Sequence, residues 1–213
     1  MDINTNLGLC NRLRTLCSFY DYAKINNEKL YVNWEIDEDC PGHFLDYFEP
    51  LDGVVFNENN AVKSNGRWMR DRNPFAGYNI YKDLTPKKYI LDEIKILKKI
   101  LKKNYTSIHV RRTDHNLSRD GKNVFVKDSV FFDFLNKSNC NIYLATDNFK
   151  TQEKYFIRYK KRMPFVKFIT GTGKRQTPLI DAVIDIYMCI ESQNFLGTPW
   201  SSFTSFIKHN KNY

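Results

Sequence analysis

The 213-residue chain lacks the glycine-rich loops by which many nucleotide enzymes are recognised. No G-x-x-x-x-G-K-[ST] run is present, which disfavours a P-loop NTPase, and no G-x-G-x-x-G, which disfavours a dinucleotide oxidoreductase. There is no C-x-x-C pair. Cys40 and His43 have C-x-x-H spacing, but no second ligand pair follows, so no zinc site is expected. The five cysteines, Cys10, Cys17, Cys40, Cys140 and Cys189, are odd in number and scattered, which fits a reducing compartment. No apolar run is long enough to cross a bilayer and no secretory segment opens the chain, so a soluble, cytoplasmic protein is expected. Fixed-period repeats and low-complexity tracts are also missing. Acidic residues are the minority charge: 33 Lys and Arg against 24 Asp and Glu give a formal charge of +9. That balance favours a polyanionic partner. The charge does not choose among nucleic acid, acidic membranes and phosphorylated ligands; with no nucleic-acid recognition signature beside it, a nucleic-acid binder is a third reading that rests on the charge alone.

Apolar residues make up 42% of the chain, with 16 Phe and 13 Tyr, enough for a core without disulfides. Three- and four-residue spacing of Leu9, Leu13, Leu16, Phe19 (or Tyr20) and Ala23 predicts a helix over 7–27. Short strands are predicted at 29–34 and 53–56, a short helix at 43–48, and a long polar loop over 57–81. Thr85-Pro86 reads as a helix start, with Ile90, Ile94, Leu97 and Leu101 as its buried stripe and lysines on the other faces. From residue 105 strands and helices alternate: strands at 105–110, 141–145, 165–170 and 194–197, helices at 128–135, 149–162, 178–191 and 201–208. Such alternation predicts parallel sheet, here as two small α/β lobes, 1–104 and 105–213.

Four constellations carry chemistry. The strand 105–110 runs into His109-Val110-Arg111-Arg112-Thr113-Asp114. In open α/β sheets ligands lie outside the carboxyl ends of strands, and guanidiniums there form a fork for phosphate oxygens; the competing reading is a solvated loop. Ala145-Thr146-Asp147-Asn148 is a second strand end with a carboxylate, or simply a helix cap. The apolar helix 179–190 carries Asp181 and Asp185 four apart on one face. Buried carboxylates need donors, either an arginine of the first motif or a ligand with paired N–H groups such as guanine N1–H and N2–H. Finally, Gly197 to Phe206 places Ser201, Ser202 and Phe203 where a strand meets a helix N-terminus, an anion site unless the serines only cap the helix. Together these describe a nucleotide-diphosphate site in which arginines hold the pyrophosphate.

At this point three segments resemble one family. Leu7-Gly8-Leu9-Cys10-Asn11-Arg12-Leu13 is similar to the G-x-G-N-R-[LF] signature of the fucosyltransferase superfamily, which includes protein O-fucosyltransferases and α1,6-fucosyltransferases. His109 to Asp114 resembles its H-x-R-R-x-D motif, and Asp181 to Phe206 its D-x-x-x-D helix followed by a Ser-Ser-Phe turn. The resemblance implies two Rossmann-like lobes of GT-B type, the N-terminal lobe (1–104) reduced and on the acceptor side, the C-terminal lobe (105–213) binding a GDP-sugar. It implies an inverting glycosyltransferase that moves fucose or a related sugar to a hydroxyl of a glycan or protein, with no cofactor and no required metal. Arg111 would hold the pyrophosphate and Asn11 face the reaction centre. His109 and Asp185 would contact the guanosine part, and Ser201, Ser202 and Phe203 phosphate and base. Arg112, Asp114 and Asp147 are assigned to shape and line the donor site; His115 and Asp71 are candidate bases. Cys10 replaces the second glycine of the signature, and only Met1 to Asn6 are left for the strand before it, which is expected to be shortened or missing. Both departures fit an alternative: a catalytically inactive module that binds a sugar nucleotide or glycan.

Overall fold

The computed structural model describes residues 1–56, 80–113, 118–119, 122–123, 125–171 and 176–211. Their contacts group into two compact units, Met1–Lys87 and Lys88 onward.

In the first unit the strand before the signature is present though short. β1 (Asp2–Thr5) pairs in parallel with β2 (Leu30–Trp34), which pairs in parallel with β3 (Val54–Phe56). α1 (Leu9–Ile25) lies between β1 and β2 in sequence and buries the stripe Leu9, Leu13, Leu16, Tyr20 and Ala23. It stops at Asn26, and Asn27 follows at φ 54°, a left-handed residue that often closes a helix. α2 (Phe44–Tyr47) starts at His43, whose Nδ1 accepts from the Leu45 N–H at 3.3 Å while Asp46 accepts from the His43 N–H, a capping box. Cys40 beside it is fully buried. An aromatic cluster holds these pieces together: Phe44 stacks on Phe48 and Phe56 with centroids 5.1 and 4.7 Å apart, and Trp34 meets Phe44 edge-on.

The second unit begins with α3 (Lys88–Leu101), whose buried residues are Ile90, Ile94, Leu97 and Leu101. Through this stripe α3 packs on α6 (Leu179–Glu191) and on β7 (Asn141–Thr146), so it groups with the second unit and not with residues 1–87. It begins two residues later than the Thr85-Pro86 cap predicted. Pro86 bridges to Phe48, the Glu49 N–H donates to Thr85 O, and the Lys87 N–H donates to Tyr47 O. Those bonds hold 85–87 extended until they end.

β4 (Tyr105–Val110) is buried at every residue and is the middle of a parallel sheet in the order β7-β4-β8, with β8 at Asn194–Gly197. A two-residue antiparallel pair that sequence did not anticipate, β5 (Ser118–Arg119) with β6 (Lys122–Asn123), follows β4. α4 (Asp128–Asn136) and α5 (Phe149–Tyr159), the latter extended by a 3₁₀ turn at Lys160–Arg162, complete the unit with α7 (Ser202–Lys211). The two faces of the sheet differ. Ile108, Val110 and Ile142 point into an apolar core with Phe131, Leu135, Tyr155 and Tyr159. The opposite face is a seam of polar side chains: Tyr105 Oη donates to Met188 O at 2.5 Å, Ser107 Oγ to Ser192 Oγ at 2.7 Å, and Tyr143 Oη to Asp185 at 2.6 Å.

The predicted strand at 165–170 is not a strand. Gln152 of α5 replaces a neighbouring chain there: its Nε2 donates to Lys167 O at 2.8 Å and its Oε1 accepts from the Ile169 N–H at 2.8 Å. One side-chain amide supplies the bonds that a sheet partner would have made. The second sheet therefore has three strands, with β7 at its edge.

Candidate functional site

The sequence motifs of the second unit meet where β4 and β8 end side by side, His109 opposite Gly197. Thr198, fully buried, ties the ends together. Its N–H and its Oγ1 both donate to His109 O, at 2.9 and 3.1 Å, and its Oγ1 accepts from the Arg111 N–H at 3.0 Å. His109 lies in the polar face with Nδ1 2.9 Å from Thr204 Oγ1, and its ring is 4.4 Å from that of Phe203. Gly197 must be glycine because α7 crosses it closely: a Cβ would strike Thr204 Oγ1, which His109 holds in place.

The two arginines have different surroundings. The Arg112 guanidinium donates to Asp128 at 2.6 Å and lies over Phe125 at 4.7 Å, with its side chain 11% exposed. Asp128 also takes Lys154 at 2.5 Å. Burial raises the Asp128 carboxyl, but these two cations and their hydrogen bonds hold it below its ordinary value. Arg112 thus fastens the strand end to α4. Arg111 is half-buried at the strand end, with its backbone fixed by Thr198. Asp147 accepts from the Arg112 N–H at 2.8 Å and from the Thr113 hydroxyl, so its carboxylate shapes the turn after β4. Asn148 caps α5 through Thr151, 2.9 Å away. Asp114, His115 and Asp71 lie outside the described residues, as does most of the 57–81 loop.

The start of α7 discriminates between capping and binding. A serine that merely capped the helix would accept from an early helical N–H. Ser201 is 1% exposed, yet its Oγ has no hydrogen-bond partner among the described residues. A buried hydroxyl left unpaired is costly. It lies where free N–H groups and the helix dipole already favour an anion. Ser202 and Phe203 follow it, each half-buried.

Asp181 and Asp185 pair with neither motif arginine. Asp181 accepts from Lys167 Nζ at 2.6 Å, and Asp185 from Tyr143 Oη. Burial, with the Asp181 charge adding to it against the Tyr143 bond, pushes the Asp185 carboxyl up to about 7. Both line a cavity of about 400 Å³ between α3, the β7 edge and the 165–170 segment, with Tyr143, Thr146, Lys167 and Ile169 in its wall. Thr146 pairs with Val110, the residue before Arg111, so the cavity reaches the same end of the sheet. Sequence could not show this cavity, because Gln152 creates its far wall.

In the first unit Asn11 is half-buried in the first turn of α1. Cys10 beside it is 4% exposed and packs inward. The residue in the left-handed region is Leu7 at φ 63°, not a glycine. Sequence reasoning passed over Arg12, which is fully buried: its Nε donates to Leu7 O at 2.6 Å, Nη1 to Glu35 O, and Nη2 to Asp37 at 2.7 Å. The Arg12 position within the quoted signature was the available signal. The expectation that no metal is required rests on reading the chain as having no D-x-D element; Asp37-Glu38-Asp39 has that spacing, so that reading is corrected. Asp37 uses its oxygens on Arg12 and on the Asp39 and Cys40 N–H groups. Among the described residues no group of three or more His, Cys, Asp or Glu is placed to hold a metal, and no helix is long and apolar enough to cross a membrane.

No protein-family profile and no curated protein sequence matches the chain. Solved structures do. The α1,6-fucosyltransferase NodZ soaked with GDP-fucose aligns with TM-score 0.63 at 14% identity, over 98% of this chain and 91% of that one. Fucosyltransferase NodZ from Bradyrhizobium aligns with TM-score 0.64 at 14% identity, over 97% and 91%. POFUT1 in complex with GDP aligns with TM-score 0.59 at 10% identity, over 99% and 95%. The chain has a fucosyltransferase-like fold: mixed α/β, with two small parallel sheets.

Proposed function

We propose that this protein is a glycosyltransferase that takes a GDP-sugar, fucose or a close relative, and transfers it to a hydroxyl of a glycan or protein. In this reading the two units act as Rossmann-like lobes of a GT-B enzyme, the second holding the donor and the first the acceptor. The observation that carries it is the orphaned Ser201 hydroxyl at the start of α7, next to the β4 end that bears Arg111. The fold it shares with enzymes solved with GDP and GDP-fucose supports the choice of ligand.

Each residue then has a task. Ser201, Ser202 and the first N–H groups of α7 receive the pyrophosphate. Arg111 stands where negative charge builds on the β-phosphate as the glycosidic bond breaks; stabilising charge that develops in the transition state is commonly the largest contribution to rate. Asp185 accepts guanine N1–H and N2–H, and His109 and Phe203 back the nucleoside. Asn11 is the residue of the first unit that the resemblance assigns to catalysis. Displacement inverts the anomeric carbon, and the arginine takes the place of a metal at the leaving group.

Calorimetry tests this directly. The protein should bind GDP and GDP-fucose more tightly than UDP or ADP, ignore single-stranded RNA, and keep its GDP affinity in EDTA. Equal affinity for UDP and GDP would overturn the assignment of the base. A turnover screen of GDP- and UDP-sugars against mixed acceptors then separates a transferase from a module that only binds.

A further inference from the structure

The turn between β8 and α7 is anchored at both ends and strained in the middle. Thr198 makes two hydrogen bonds to His109 O of β4 and takes a third from the Arg111 N–H just beyond it, Pro199 has a fixed φ, and Ser201 is buried at the helix start. Between them Trp200 adopts φ 61°, in the left-handed region, with 70% of its surface exposed. A bulky residue in that region is a backbone outlier. Glycine would make the same turn without strain. Observed strain of this kind at a ligand-facing turn is grounds for a functional role.

We propose that Trp200 is the sugar-contacting residue of this site, its indole stacking on the hexopyranose of the nucleotide-sugar donor. The inference rests on the reading of Ser201 as a phosphate contact. The hexose is bonded directly to the β-phosphate, so the residue adjoining the phosphate contact is within reach of it, while the base lies at the other end of the nucleotide. An indole combines an apolar face with one N–H donor, and a pyranose combines an apolar C–H face with hydroxyls. The two surfaces are complementary, and a 6-deoxy sugar presents more of the apolar kind.

The experiment compares GDP with GDP-fucose by calorimetry on Trp200→Ala, Trp200→Phe and Trp200→Gly in the full chain. Trp200→Ala should weaken GDP-fucose about tenfold, or ~1.4 kcal/mol, and change GDP less than about twofold on the same scale. Trp200→Phe should restore most of the loss. Trp200→Gly should lose the same discrimination while Tm stays level or rises, because glycine takes this φ freely; a purely structural tryptophan would instead lower it. Equal losses for GDP and GDP-fucose, or none for either, overturn the proposal. A wild-type protein that binds no GDP removes the donor reading and this inference with it.

Discussion

Two strand-to-helix turns of this molecule look alike and work differently. The β1–α1 turn and the β8–α7 turn each carry a non-glycine residue in the left-handed region, Leu7 at φ 63° and Trp200 at φ 61°. In the first, Arg12 reaches back and spends its guanidinium on Leu7 O, Glu35 O and Asp37, so the turn is satisfied from within. In the second, Ser201 is buried with its hydroxyl unpaired. The first turn spends its donors inside the fold; the second keeps a hydroxyl that the proposed function assigns to a ligand. Residue type alone does not separate them, since an arginine beside a glycine loop is as plausible a phosphate ligand as a serine.

The largest expected effect is at Arg12. Arg12→Ala should cost about 2–4 kcal/mol of stability in denaturant unfolding, because two carbonyls lose their buried donor and a fully buried side chain is removed. A change below ~1 kcal/mol, within the range of ordinary surface substitutions, would mean that the first turn is not closed by this residue. Arg111→Ala should fold normally and lose about 10²–10³ in kcat, as for removal of one donor to developing charge. Arg111→Lys should be severely impaired too, because the planar fork is lost. Arg112→Ala should show the opposite pattern, with stability lowered by about 2 kcal/mol through Asp128. If Arg112→Ala is folded but inactive and Arg111→Ala active, the two roles are reversed.

Asp185 sharpens the contrast through pH. Its carboxyl is raised to about 7 in the fold against about 4 in an unfolded chain. The folded state therefore holds the extra proton between these values, and stability should fall as pH rises from about 4 to about 7. Asp185→Asn should flatten that slope. Guanine needs the ionised form, so GDP binding should strengthen with pH up to about 7 and release a proton, and Asp185→Asn should weaken it by about 1.5–3 kcal/mol. Titrations in buffers of different ionisation enthalpy measure the proton directly; an affinity flat from pH 6 to 8 would detach Asp185 from the base. The smallest effect is at Ser201. Ser201→Ala should leave stability unchanged or raise it by about 1 kcal/mol, since an unsatisfied hydroxyl is removed, and weaken GDP by about 1 kcal/mol. Lower stability would show that the hydroxyl has a partner inside the protein.

Sequence by itself determined the elements whose pattern is local. The 3.6-residue stripe Ile90, Ile94, Leu97 and Leu101 marks the core face of a helix by its period, and the run 105–110 reads as a strand from its short length and β-branched and aromatic residues. The motifs were also legible, as was the crowding of His109, Arg111, Ser201 and Phe203 at strand ends, since a parallel sheet puts those ends on one side. What tertiary structure decided is how donors and acceptors were spent across the chain. Gln152 cancelled a strand at 165–170, the Phe48–Pro86 bridge delayed α3, and Asp128 claimed Arg112. Each of these partners is at least fifteen residues away along the chain. A side chain's preference for a partner is set by its chemistry, but which partner it meets is set by packing, and only the folded chain holds that information.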